Sequence, residues 1–182
     1  MIHNSSDMEM QAVLQTAARM CASARTAPKA HGKDTLHTMV LTGEDKDKLA
    51  DSMDQVGSRE MGDKMTTWYG RDAANVRTSQ AVVLIGAEKK QRGVPHCGFC
   101  GFADCKGCKE AQANCGFTYI DLGIAVSSAV SVASQEHVDC RIMYSIGKTA
   151  EEMAYIPNYI WLGIPLSVSG KNIFFDRGIV HD

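Results

Sequence analysis

Five of the seven cysteines in this 182-residue chain fall between positions 97 and 115. They read Cys97-Gly98-Phe99-Cys100-Gly101-Phe102-Ala103-Asp104-Cys105-Lys106-Gly107-Cys108, followed by Cys115-Gly116, and only Cys21 and Cys140 lie outside the segment. The clustering, more than the count, requires a chemical explanation. Thiolates are soft ligands that select zinc, copper(I) or iron–sulfur clusters. A four-iron cubane presents an iron at each of four corners, so the chain must wrap around it and offer one sulfur per corner. Short Cys-x-x-Cys steps reach adjacent corners, and a more distant cysteine closes the far side. Glycines at 98, 101, 107 and 116 let the backbone turn tightly and bring N–H groups toward sulfur. Phe99, Phe102 and Phe117 are placed to shield such a group from water. Zinc is the rival occupant, but zinc ribbons separate their two Cys-x2-Cys knuckles by about 15–20 residues. Here four residues separate Cys100 from Cys105. A disulfide-stapled loop is the third possibility and belongs to oxidising compartments.

Composition narrows the setting. A formal net charge of −2 gives no reason to expect nucleic acid or an anionic membrane as partner. The longest apolar stretch, Ile120 to Ala133, contains Asp121 and three serines and is not expected to span a bilayer. The opening MIHNSSDMEM lacks the basic and apolar regions of a secretory signal, so the expectation is a cytoplasmic protein with reduced thiols.

Along the chain, Ser6 and Glu9 form a candidate capping box for a helix that carries Val13, Ala17, Met20 and Ala24 inward and stops before Pro28. Leu36 to Leu41 reads as a strand, and Thr42 caps a helix that ends at Gly57. Ser58 to Tyr69 reads as irregular chain or short helix, Arg71 to Thr78 as a helix and Gln80 to Gly86 as a buried strand. Glu88 to Gly93 reads as a polar surface loop. Thr118 and Asp121 open a long helix to about Glu136. Val138 to Tyr144 is a further strand, Thr149 to Tyr155 a helix, and Tyr159 to Val168 a last strand whose Pro165 belongs at a sheet edge or a bulge. The order predicts one α/β or α+β layered domain.

His96-Cys97-Gly98-Phe99-Cys100-Gly101 through Cys105 resembles the Cys-Gly-x-Cys-Gly-x-x-x-x-Cys opening of the four-iron domain in corrinoid iron–sulfur proteins and electron-transport complex subunits. The resemblance implies a [4Fe–4S] cluster on Cys97, Cys100 and Cys105, with Cys115 as the fourth ligand. Cys108 departs from the motif, as a spare thiol or a replacement for Cys115.

Ala24-Arg25-Thr26-Ala27-Pro28-Lys29-Ala30, Ile120-Asp121-Leu122-Gly123-Ile124-Ala125 and Gly163 to Lys171 together resemble the ferredoxin-domain-containing family of anaerobic bacteria and archaea. Ala27-Pro28-Lys29, the 121–135 helix, Ser145-Ile146-Gly147 and Gly163-Ile164-Pro165 also occur in the order found in nitroreductase-like flavoproteins. That likeness implies an α+β, three-layer α/β/α fold over residues 1–182, with residues 96–116 as an inserted cluster-binding segment. It further implies a homodimer with FMN at its interface. Mapped by motif, Arg25, Lys29 and Arg177 become candidates for its phosphate, and Gly147 for the loop beside its ring. The Arg-x-Ser-x-Arg clamp early in the first helix is absent, since that helix offers only Arg19 there. Without FMN, Arg25 and Lys29 are solvated charges and Arg177 a tail residue.

The small residues Gly123, Ala125, Ser127, Ser128, Ala129, Ser131 and Ala133 suit close approach of another helix or a dimer mate. His96 reads as a loop histidine beside the cysteines, Cys140 as a small core residue, and Trp68-Tyr69 as a packed aromatic pair. The expected function is a cytoplasmic iron–sulfur redox protein, an electron-transfer protein or oxidoreductase with an unidentified donor or acceptor. A carrier or redox sensor without flavin and a zinc-stabilised interaction domain are the alternatives.

Overall fold

The structure, a computed structural model, describes residues 2–62 and 68–175. Its centre is the apolar run Ala81–Glu88, strand β2, in which every residue from Ala81 to Ala87 is buried. A strand buried on both faces needs cover on both. β2 pairs antiparallel with β1 (Leu36–Leu41) on one side and with β4 (Tyr159–Ser167) on the other. The two-residue strand β3 (Asp139–Cys140) completes the order β1-β2-β4-β3. Val83, Ile85, Ile164 and Leu166 face α1 (Ser5–Thr26) and α5 (Gly116–Gln135). Val82, Leu84 and Trp161 face α2 (Gly43–Met61), α3 (Trp68–Thr78) and α6 (Tyr144–Glu152). The result is the three-layer α/β/α arrangement that the resemblance implied.

Several boundaries move for local reasons. Asn4, not Ser6, caps α1, its side chain accepting the Asp7 N–H at 2.9 Å. α2 runs through Gly57, which is buried in the helix, to Met61. The expected strand 138–144 is reduced to β3 and a single bridge between Met143 and Gly163. α6 begins at Tyr144, five residues ahead of the expected Thr149, so Ser145-Ile146-Gly147 is helix rather than loop. β4 lies inside the sheet, not at its edge. Pro165 is tolerated because N–H direction alternates along a strand. Gly163 donates to Met143 at 3.2 Å, so position 165 would donate to the same side, where the ladder between Cys140 and Met143 lapses.

α5 meets the length and composition of a bilayer-crossing helix, with a mean hydropathy of 1.4. Leu122, Ala125, Val126, Ala129 and Ala133 pack inward against α1 and the sheet. The small residues therefore divide: the alanines allow α1 to approach, while Gly123, Ser127 and Ser131 face outward.

Candidate metal centre

The chain leaves β2 at Glu88 and reaches α5 at Gly116, and all the clustered cysteines lie on this path. Gly98 and Gly101 adopt φ of +63° and +80°, and the Gly101 N–H closes a turn on the Gly98 carbonyl at 2.9 Å. This left-handed backbone is where glycine has least strain. Asp104 then caps a short helix, α4 (Cys105–Glu110), accepting the Gly107 N–H at 2.8 Å. α4 was not expected, although Asp104 followed three residues later by Gly107 fits an N-cap. At Gly116 the backbone of Phe99 passes so closely that an added Cβ would lie 3.0 Å from its carbonyl oxygen.

Cys97, Cys100, Cys105, Cys108 and Cys115 all line one cavity of about 240 Å³. Cys108 and Cys115 are buried, the other three partly so, and all are free thiols. The Phe102 N–H is the chief group holding the Cys100 thiol below its ordinary range, helped by the Cys108 side chain and the Gly116 N–H. Burial pushes Cys108 up, although Gln91 Nε2 reaches its sulfur at 3.7 Å. The Cys108 sulfur also lies 3.3 Å from the Ala113 carbonyl. Phe102 and Phe117 line the cavity, as expected of water-excluding groups. Phe99 does not; it is 65% exposed and packs on Phe117 at 5.2 Å between ring centroids. Among the described residues, no three Cys, His, Asp or Glu side chains are grouped to hold a single ion.

Arg92 also lines the cavity. It falls in the run expected to be a surface loop, yet it is only 1% exposed. Its Nε donates to Asp121 Oδ2 at 2.9 Å, and Asp121 Oδ1 accepts the Ala30 N–H at 2.9 Å. Nη1 donates to the carbonyls of Lys90 and Glu88. Asp121 was expected to help open α5; it is instead a buried ion-pair partner five residues inside the helix.

The flavin candidates do not gather in this way. Arg25 pairs with Asp34 at 2.5 Å and donates to the Leu36 carbonyl at 2.9 Å. Lys29 folds back on the end of α1, donating to the carbonyls of Arg25 and, at 2.8 Å, Ala27. Gly147 is buried in α6, where a Cβ would fall 1.9 Å from the Trp161 carbonyl oxygen; its smallness lets α6 sit on β4. Arg177 lies outside the described residues.

Comparison with known proteins separates family from fold. The family described as "Uncharacterized protein containing a ferredoxin domain (DUF2148)" matches residues 111–177, a span that includes Cys115 but begins after Cys108. An uncharacterized protein of Archaeoglobus fulgidus is 40% identical over 185 aligned residues, covering 97% of this chain and 98% of its own. The chain belongs to the ferredoxin-domain family. Solved structures give this ferredoxin-domain protein its fold. The FMN-dependent nitroreductase NfnB of Mycobacterium smegmatis, solved with NADPH, matches at a TM-score of 0.59 and 12% identity, over 86% of this chain and 78% of that one. A nitroreductase with bound FMN from Desulfitobacterium hafniense matches at 0.57 and 11% identity, over 94% and 81%. A nitroreductase family protein from Clostridium novyi matches at 0.57 and 17%, over 85% and 73%. The fold of this ferredoxin-domain protein is nitroreductase-like.

The two cofactor expectations fare differently when tested on the residues. The cysteine cavity offers an adequate set of soft donors with N–H groups directed at sulfur. Arg25 and Lys29, committed to Asp34 and to the end of α1, do not form a phosphate clamp as placed.

Proposed function

We propose that this ferredoxin-domain protein binds a [4Fe–4S] cluster on Cys97, Cys100, Cys105 and Cys115 and acts as a cytoplasmic electron-transfer protein or the electron-relay part of an oxidoreductase. The observation that carries the reading is the convergence of five thiols on one cavity. A zinc site would draw four donors to about 2.3 Å from one point. A cubane spreads its four thiolates over separate irons, which suits donors distributed around a cavity. Such a cluster, when bound, supplies one-electron transfer at a potential set by charge, hydrogen bonds and exposure. The chain's own contribution is to hold the thiols, to direct the Phe102 and Gly116 N–H groups at Cys100, and to exclude water with Phe102 and Phe117.

We extend the reading to a homodimer formed through the outer face of α5, where Tyr119, Ile120 and Ile124 are exposed around Gly123. FMN has only the fold in its favour.

Cys108 as fourth ligand is the second reading, favoured by its burial in the same cavity beside Cys100. Anaerobic purification with iron, acid-labile sulfide, zinc and flavin quantified together tests the first reading. About four irons and four sulfides per chain are expected; stoichiometric zinc without sulfide overturns the proposal. Iron lost in Cys115→Ser and kept in Cys108→Ser supports the ligand set, and the reverse pattern replaces Cys115 by Cys108.

A further inference from the structure

A guanidinium has five N–H donors in a fixed planar fork. In Arg92, one is taken by Asp121, and Nη1 serves the carbonyls of Lys90 and Glu88. Nη2 is buried and has no partner among the described residues. An unsatisfied donor on a buried cation is costly, so it is rarely left without a purpose. Among the described residues, the side chain paired with the charge is Asp121, itself 2% exposed, and the pair is neutral overall. Arg92 lines the cavity on which the five thiols converge. Four thiolates around an iron–sulfur core make a strong anion in a site of low hydration, where a cation's field is weakly screened.

We propose that Arg92 is the tuning residue of the cysteine site, its buried positive charge at the cavity wall acting on the anionic cluster while Asp121 moderates that charge. The inference rests on the cluster reading above. Reduction adds negative charge to the cluster, so a nearby cation favours the reduced state and a nearby carboxylate opposes it. Arg92 and Asp121 therefore act on the potential with opposite signs.

The test is a reductive titration of anaerobically purified protein, following visible absorbance and the paramagnetic signal of the reduced state, on wild type, Arg92→Gln and Asp121→Asn. Removing Arg92 is expected to lower the equilibrium constant for reduction about tenfold, about 59 mV for one electron. Asp121→Asn is expected to shift it upward. A role confined to packing would move both variants in the same direction by loosening the same contact. Opposite shifts support the proposal; an unchanged potential in Arg92→Gln, or shifts of one sign, overturn it while leaving the cluster reading intact. Wild-type protein without iron and sulfide overturns the cluster reading and this inference together. Should Arg92→Gln not fold, Arg92→Met replaces it: the charge is removed and the apolar stem is kept. A fall in Arg92→Met beside a rise in Asp121→Asn then supports the proposal, and any other pair of shifts overturns it.

Discussion

The sheet and the cysteine segment that leaves it are stabilised by opposite means. β2 is buried from Ala81 to Ala87 and sealed by two helices on one face and three on the other. Its contacts are numerous and apolar. The segment from 89 to 116 contributes only Cys108 and Cys115 to the buried apolar residues and is shaped by a few polar contacts: the 98–101 turn, the Asp104 cap and the Arg92–Asp121 pair. Damage to the sheet should therefore lower global stability, whereas damage to the segment should alter what it holds and leave the sheet standing.

The strongest way to break this contrast is at Gly147. Alanine there would collide with the Trp161 carbonyl, and backbone cannot step aside as a side chain can. We expect a loss of about 3 kcal/mol, the upper range for overpacking, read as a lower denaturant midpoint with the iron content of the folded fraction unchanged. If iron falls in proportion while the midpoint holds, the two regions are not separable. Gly116→Ala should do the converse on a smaller scale. A Cβ at 3.0 Å from the Phe99 carbonyl requires a shift of a few tenths of an ångström. The expected cost is about 1 kcal/mol or less, together with faster iron release to a chelator.

The smallest effect concerns the tie between the two regions. Glu151 on α6 pairs with Lys89, where the segment begins, and with Lys148. Burial alone would raise its pKa, but the two lysines outweigh this and hold the carboxylate below its ordinary value of 4.5. A depressed carboxylate stabilises the folded state fully above its unfolded pKa, and that contribution is lost as pH falls through the folded value. The stability difference between wild type and Glu151→Gln should thus be about 0.5–1 kcal/mol at neutral pH. It should vanish progressively below pH 4.5, measured by denaturant unfolding; a difference independent of pH would refute the electrostatic account.

What could be read from the sequence follows the same division. The cysteines were legible as a site because 19 residues hold all five, so no long-range folding is needed to bring them together. β2 was legible from an uninterrupted apolar run. Arg92 was not, because a polar run such as Glu88 to Gly93 ordinarily faces solvent, and its partner Asp121 lies 29 residues further on in α5. Gly147 was misjudged because a glycine that permits a helix to approach a strand looks, in one dimension, like a glycine in a loop. The candidates Arg25 and Lys29 depended on a motif whose first half is missing; Arg25 bonds to Asp34 and to Leu36 at the start of β1, and Lys29 folds back on the end of α1.

The Arg92–Asp121 pair joins the start of the excursion to the helix that ends it, at a point where Ala30 also contributes its N–H. Geometrically it is the clasp of a loop whose interior can be exchanged. Loop-closure entropy rises only slowly with length, so residues 94 to 115 could be shortened, rewritten or grafted onto another scaffold without rebuilding the sheet, provided the clasp travels with them. For protein engineers, that makes the buried arginine and aspartate the boundary markers of a portable cysteine-rich cassette.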